Sequence, residues 1–364
     1  MNQIDKAVIF LDSFDFATYR KKQLFFDLIK KPENIFDISQ IKLLKSKITE
    51  IFSEEEYSIL INAIASHNET LIDKNFEKLK IKAISIYSSE YPQTLKNIDT
   101  PPFVIYYKGD LSLLNSKCFA IVGSRNITNY GKQATEKFAR DLTQSGFTIV
   151  SGLASGVDTV AHSTTLIEKG KTIAVLAGGL DEIYPATNTN LARDIVEKGG
   201  LLITETRPYK RTESYMFPIR NRIIAGLSCG VLVTEAQEKS GVIHTKNYAL
   251  DYGKEVFAVP GSIFSASSVG ANNMIINGQA KAVGCIQDIL DEYNLKFTPK
   301  TQKFENFSIN ETMIIQVLKS GPKAFQEIVD LTKLEVKTLN TLLTTLLIRG
   351  IIKKLAGNVY YLVE

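Results

Sequence analysis

Cysteine is scarce in this chain, with three in 364 residues, and Cys118, Cys229 and Cys285 stand far apart. No paired-cysteine spacing occurs, which excludes a zinc knuckle or a disulfide framework. The three thiols, each in or beside an apolar stretch, read as buried and reduced and fit a cytoplasmic protein. Histidine is equally sparse: His67, His162 and His244 are scattered and form no H-E-x-x-H pattern, so no metal site is expected. No uninterrupted apolar run approaches about 18 residues, the span of a membrane helix, and the first residues lack the basic segment of a leader. The formal net charge is only +4, which neither demands nor excludes nucleic acid. Nucleotide fingerprints are missing too. Gly152 and Gly156 are four apart, so G-x-G-x-x-G is absent. Gly170-Lys171-Thr172 resembles the end of a P-loop, but position 165 is Thr165 and the trio runs into a strand, the reverse of the required order. No cofactor is expected.

What is present is ample apolar material, 44% of residues, enough for two or three domains. Residues 1–80 are lysine-rich and read as short helices, with Leu24, Phe25, Leu28 and Ile29 on one helix and Ile59, Leu60, Ala63 and Ile64 on another. The pairs Lys21-Lys22 and Lys30-Lys31 read as solvated faces. Residues 81–295 alternate strand and helix about seven times, the rhythm of an α/β protein with a doubly wound parallel sheet and an extended Rossmann-like core. Residues 296–310 are polar, contain Pro299 and read as a linker. Residues 311–364 predict three helices and a hairpin, a winged-helix domain. The third helix buries Val336, Leu339, Leu342, Leu343, Leu346 and Leu347 and exposes Asn340, Thr341, Thr344 and Thr345. That exposed side is too weakly charged for a DNA-reading helix, so protein docking or a structural role competes with DNA contact.

Three strand-to-helix loops share one logic. Gly123-Ser124-Arg125-Asn126 follows the apolar run 118–122, residues 151–158 follow 146–150, and Ser240-Gly241 opens a helix after 231–234. In an open parallel sheet the carboxyl edge is where ligands bind. Glycine lets the backbone come close, serine adds a hydroxyl, and Arg125 adds a forked charge suited to phosphate. Asp158 reads as a helix-start residue, and His162 as a helical residue that orders the neighbouring loop.

The run Phe217-Pro218-Ile219-Arg220-Asn221-Arg222-Ile223-Ile224 supplies a fourth loop-to-helix junction. Pro218 fixes the start of the helix, so Arg220 and Arg222 are expected on its first turn. Cations there have the wrong sign for the helix dipole, and an outside anion is the economical explanation. The rival reading pairs both arginines with carboxylates elsewhere in the fold. Together the loops predict a phosphate-bearing ligand held by Gly123, Ser124, Arg125, Ser151, Gly152, Arg220, Asn221, Arg222, Ser240 and Gly241.

Taken with residues 256–262, Tyr91-Pro92, Leu95 and Pro101-Pro102, these motifs resemble the DprA (Smf) family of bacterial DNA-processing proteins. The resemblance is strong over about residues 80–290. It implies a non-enzymatic, dimeric protein that binds and protects single-stranded DNA and loads the RecA recombinase during natural transformation. It also implies a sterile-alpha-motif-like helical domain at the start. Met274, Ile275 and Ile276 read from the residues alone as a core stripe; the resemblance implies a dimer surface there. The chain departs from the family in residues 205–211, which are more basic than the usual Gly/Pro-containing loop, and in residues 240–246.

Two other function classes compete with this reading. Ala177-Gly178-Gly179 superficially matches the loop of phosphoribohydrolases, but Glu182 has no neighbouring base or nucleophile to form a catalytic set. A ligand-sensing winged-helix regulator fits the domain order but not the weakly charged third helix. No catalytic residue is assigned.

Overall fold

The computed structural model describes residues 2–66, 76–297, 307–355 and 357–362. His67 and most of the expected linker 296–310 lie outside them. The chain divides into two compact units, Met1–Pro299 and Lys300–Glu364.

The first unit is built on strands β1 (Lys82–Ser85), β2 (Val104–Gly109), β3 (Cys118–Val122), β4 (Thr148–Ser151), β5 (Thr172–Val175), β6 (Leu201–Thr204), β7 (Gly230–Val233), β8 (Glu255–Ala258) and β9 (Lys281–Ala282). They form one sheet in the order β1-β2-β6-β5-β4-β3-β7-β8-β9. The strands from β3 to β9 pair with one another in parallel. β2 runs antiparallel to β6, with Tyr106 opposite Thr204, and β1 antiparallel to β2. The period-2 side-chain alternation of strands puts successive residues on opposite faces. On β3, Ala120 and Val122 join one apolar cluster while Phe119 and Ile121 join another. Both faces are therefore covered, and the short β-branched runs are buried throughout, as a parallel sheet requires. The strand order reverses direction at β3 and β7, which opens a crevice at their carboxyl ends.

The N-terminal helices do not stand apart. Helix Gln3–Asp12 buries Ala7, Val8 and Leu11 in a cluster that includes Ala174 of β5 and Leu202 of β6. Its Asp5 carboxylate accepts the Ser85 backbone N–H at 2.8 Å, and Asp12 accepts the Tyr106 hydroxyl at 2.9 Å. A separate domain over residues 1–80 is therefore not what the packing shows; the helices complete the core of the sheet. Lys21 and Lys22 are not a free solvated face either, because they pair with Glu56 and Asp12. Lys30 and Lys31 are exposed as expected.

On helix Val269–Ile276, Met274 is buried in the core, Ile275 packs against it half-buried, and Ile276 is 78% exposed. Met274 is thus unavailable to a partner. Cys118 is buried and Cys229 half-buried, but Cys285 is exposed, contrary to the expectation of three buried thiols. Burial pushes the Cys118 thiol up to about 11.

The second unit contains helices Ile309–Lys319, Phe325–Thr332 and Val336–Ile348 and strands β10 (Lys323–Ala324), β11 (Ile352–Leu355) and β12 (Val359–Leu362), arranged β10-β12-β11. Its first helix begins inside the expected linker, because Ser308 and Glu311 form a capping box. Ile314, Leu318, Ile328, Leu339, Leu343 and Leu346 close its core. Val336, expected in that core, is 54% exposed at the helix start, and Leu342 and Leu347 are only half-buried. No helix among the described residues is long and apolar enough to cross a membrane.

Candidate nucleic-acid interface

At the β3/β7 crevice lies an open cavity of about 590 Å³, lined by Gly123, Ser124, Arg125, Arg220, Asn221, Ser240 and Gly241, among others. Loops from three strands and the helix Met216–Leu227 meet there. Glu235 organises the meeting. Its buried carboxylate accepts the Thr128 N–H at 2.8 Å and the Thr128 hydroxyl at 2.5 Å, while its carbonyl accepts the Ser124 N–H at 2.8 Å. The loop after β7 thereby fixes the loop after β3. The Ser124 hydroxyl donates to the Asn126 carbonyl at 3.0 Å, which closes the turn and turns Arg125 outward.

Arg125 is exposed, and no ion pair among the described residues engages it. Its guanidinium lies 5.4 Å from the centre of the Phe217 ring, and Phe217 in turn meets Tyr184 edge-on at 5.5 Å. The ring holds the charge forward without neutralising it. Sequence reasoning gave Phe217 and Tyr184 no part in the site; the Phe-Pro run preceding a basic helix was the available signal.

The two arginines of the 217–224 run are separated by the structure. The helix starts at Met216, with Pro218 in its first turn, so Arg220 and Arg222 stand a turn further in than expected. Arg220 is buried. It donates to the carbonyls of Gly152, at 2.7 Å, and Val175, and from Nε to Asn221 Oδ1 at 3.1 Å. Burial lowers its pKa to about 10, while Asp158 opposes that shift and Arg125 adds to it. It remains a cation at neutral pH and lines the cavity. Asn221 also donates to the Gly241 carbonyl at 3.4 Å, so it joins the helix to the loop after β7. Arg222 faces elsewhere. Nη1 and Nη2 each meet a Glu205 carboxylate oxygen at 2.6 Å, and Nε donates to the Thr100 carbonyl at 2.9 Å. For Arg222 the carboxylate-pairing alternative holds, because consecutive even positions on a helix point about 200° apart.

Ser151 is also withdrawn from the cavity. It is the last residue of β4, fully buried, and its hydroxyl donates to the Ile121 carbonyl at 2.7 Å. Gly152 lines the enclosed end of the crevice, but its N–H is donated to Asp158 at 3.0 Å and its carbonyl is taken by Arg220. A side chain there would meet the Arg220 guanidinium at 2.6 Å and push it from its place. Asp158 accepts from Ala154 N–H as well, at 3.2 Å, so it caps the loop from inside rather than merely starting the helix. Asn188 completes the arrangement by donating to the Leu153 carbonyl at 2.9 Å and the Thr159 hydroxyl at 2.8 Å.

His162 sits on helix Val157–Ile167 with no exposed surface. The Thr172 hydroxyl donates to the Ile149 carbonyl at 2.7 Å, so His162 Nδ1–H donates to Thr172 at 2.7 Å and Nε2 is left buried without a partner. Burial pushes its pKa down to about 3, with Arg220 contributing. The unfolded chain takes up a proton below about pH 6.5 that the folded chain refuses, so stability falls as pH drops through that value. Between pH 6.5 and 5 the loss from this group is expected to be about 2 kcal/mol. Asp158, whose pKa burial raises, acts in the opposite direction. Urea melts across that window should show a shallower pH dependence for His162→Leu than for the parent; parallel curves would refute the assignment.

Among the described residues no group of three or more metal-ligating side chains gathers. Of the cavity-lining residues only Asp158 carries a carboxylate, and it is bound to backbone N–H groups; Glu182 is exposed and outside the lining.

Comparison with known proteins agrees with this architecture. A family profile described as DNA recombination-mediator protein A matches residues 82–294. DNA processing protein DprA of Bacillus subtilis is 44% identical over 225 residues, covering 62% of this chain and 75% of that protein. The Streptococcus pneumoniae DprA is 38% identical over 252 residues, covering 69% and 88%. The X-ray structure of that DprA superposes with a TM-score of 0.67 at 32% identity, over 82% of this chain and 99% of the other. A Helicobacter pylori DprA structure, described for its single-stranded DNA binding mode, gives 0.54 at 30% identity over 59% and 96%. Since the profile spans more than half of the sequence and falls on the sheet that carries the cavity, the chain belongs to the DNA recombination-mediator protein A family of DNA-processing proteins.

Proposed function

We propose that this protein binds single-stranded DNA across the carboxyl edge of its sheet, protects the incoming strand, and loads RecA onto it during natural transformation and homologous recombination. It acts in the cytoplasm as a homodimer and without catalysis. The observation that carries the reading is Arg125: an exposed guanidinium with no carboxylate partner, braced on Phe217 at the mouth of the cavity. Arg220, Asn221 and the helix start at Gly241 supply further donors around it. Contacts of this kind grip phosphates and leave base identity unread. The described single-strand binding of the Helicobacter pylori relative supports the ligand class. The phosphoribohydrolase alternative is weakened because the one carboxylate lining the cavity is already committed.

The second unit reads as a winged helix on its order of helices and hairpin. Asn340, Thr341, Thr344 and Thr345 are exposed on its third helix, and nearby Arg349 is paired with Glu311. That nearly neutral face favours docking over DNA reading.

Arg125→Ala is expected to weaken oligo-dT binding by about 1–3 kcal/mol. The slope of log affinity against log salt should also flatten by about 0.7 for the phosphate released. Fluorescence anisotropy at several salt concentrations measures both. Unchanged affinity and slope would remove the DNA site from this cavity.

A further inference from the structure

We propose that the segment 207–215, which follows β6, is a second landing for single-stranded nucleic acid, where Tyr209 stacks on a base while Lys210 and Arg211 hold phosphates running on from the cavity. The inference rests on the single-strand reading of the cavity and extends it along the same sheet edge.

Continuity comes from the loop itself. Ser214 lines the cavity, and Thr212 packs into the space that a side chain on Gly178 would fill. Gly178 lines the enclosed end of the crevice together with Arg125 and Phe217. The segment is therefore a wall of the site, and its outer residues continue the path.

Tyr209 carries the second argument. Its φ is +64°, in the left-handed region where glycine or asparagine is the cheaper residue, and the Asp181 carboxylate accepts its N–H at 2.9 Å. Tyr209 is 66% exposed, and its ring takes part in no ring or cation contact among the described residues. Strained backbone that holds a large ring in solvent is the kind of feature that clusters at ligand sites.

Charge is the third. Asp15, itself 68% exposed, is shared by two cations: Arg207 Nη2 at 3.2 Å and Lys210 Nζ at 3.0 Å. Arg211 is exposed and has no ion pair among the described residues. Three cations, Arg207, Lys210 and Arg211, stand against three carboxylates, Asp15, Asp181 and Glu213, so the charges balance in number and Arg211 is the cation left without an ion pair among the described residues. Basic side chains interleaved with an exposed aromatic ring match a polyanion with stackable bases, since stacking tolerates any sequence. Asp15 is the group that a phosphate would displace.

The test uses labelled oligo-dT of about 6 and about 20 nucleotides, the shorter within the range a single binding fold covers. Lys210→Ala/Arg211→Ala should weaken binding of the longer strand about tenfold and flatten its salt slope by about 1.4, for two phosphates. The shorter strand, held in the cavity, should bind as before. Tyr209→Ala should weaken the longer strand about fivefold or more. Asp15→Asn should tighten it, about twofold to fivefold, a gain that damage to the fold cannot produce. Unchanged binding of the longer strand in the double variant, equal losses for both lengths, or no gain with Asp15→Asn would each overturn the proposal. Arg125→Ala, measured alongside, separates the two readings: if it alone weakens both lengths, the cavity reading stands and the extension falls.

Discussion

Arg222→Ala is expected to destabilise the protein by about 3 kcal/mol while leaving single-strand affinity within about twofold when measured well below the melting point. Arg222 is buried, makes a two-pronged pair with Glu205, and also holds the Thr100 carbonyl. Removing it strands the Glu205 carboxylate at a site with limited water, and breaking a buried pair costs more than forming it gains. At roughly 2–4 °C per kcal/mol for a large domain, the melting temperature should fall by about 6–12 °C. Replacing both partners, as Arg222→Met with Glu205→Met, should recover much of the loss. A variant that melts like the parent but loses DNA would reverse the assignment and restore Arg222 to the phosphate site.

Gly156→Ala should be comparably damaging, and it should weaken binding as well. Gly156 has φ +80°, and a methyl group there would collide with the Ser124 carbonyl and approach the Arg125 carbonyl at 2.6 Å. Both are backbone atoms; the Ser124 carbonyl accepts the Val157 N–H at 3.1 Å and the Ser124 N–H donates to the Glu235 carbonyl at 2.8 Å, so no side chain can swing aside. Left-handed backbone strain of about 1–3 kcal/mol adds to the collision. The loops after β3 and β4 must part, and Arg125 moves with the first of them. Expected results are a melting point several degrees lower and single-strand affinity reduced at least about tenfold, both readable from thermal melts and anisotropy. Normal binding by a stable Gly156→Ala protein would show that the two loops do not act together.

The parallel part of the fold was visible in the sequence because its signals are local. Runs such as Phe119-Ala120-Ile121-Val122 are apolar on both faces, and each ends in a glycine- or serine-bearing loop. The loops could be assigned to one edge because strand direction is shared in a parallel sheet. What escaped was set by distant partners. The Glu205–Arg222 pair spans the 205–222 stretch, and the Glu235 clamp on Thr128 joins residues 107 apart. Neither has a sequence signature, since any carboxylate could have served. Ser151 was misplaced for a different reason: at a strand end one residue decides which side a side chain faces. The antiparallel strands β1 and β2 were missed as members of the sheet because their four to six residues carry no pairing code of their own.

The apolar cluster shared by helix Gln3–Asp12 and strands β5 and β6 bears on how this chain can vary. A cut near residue 80 would not release an intact module; it would strip cover from Ala174 and Leu202 and leave a wet hydrophobic wall on the remaining sheet. The opening helices therefore behave as part of one cooperative body, and recombination between relatives at that seam would have to exchange both sides together. The second unit closes a core of its own around Ile314, Leu339 and Leu343.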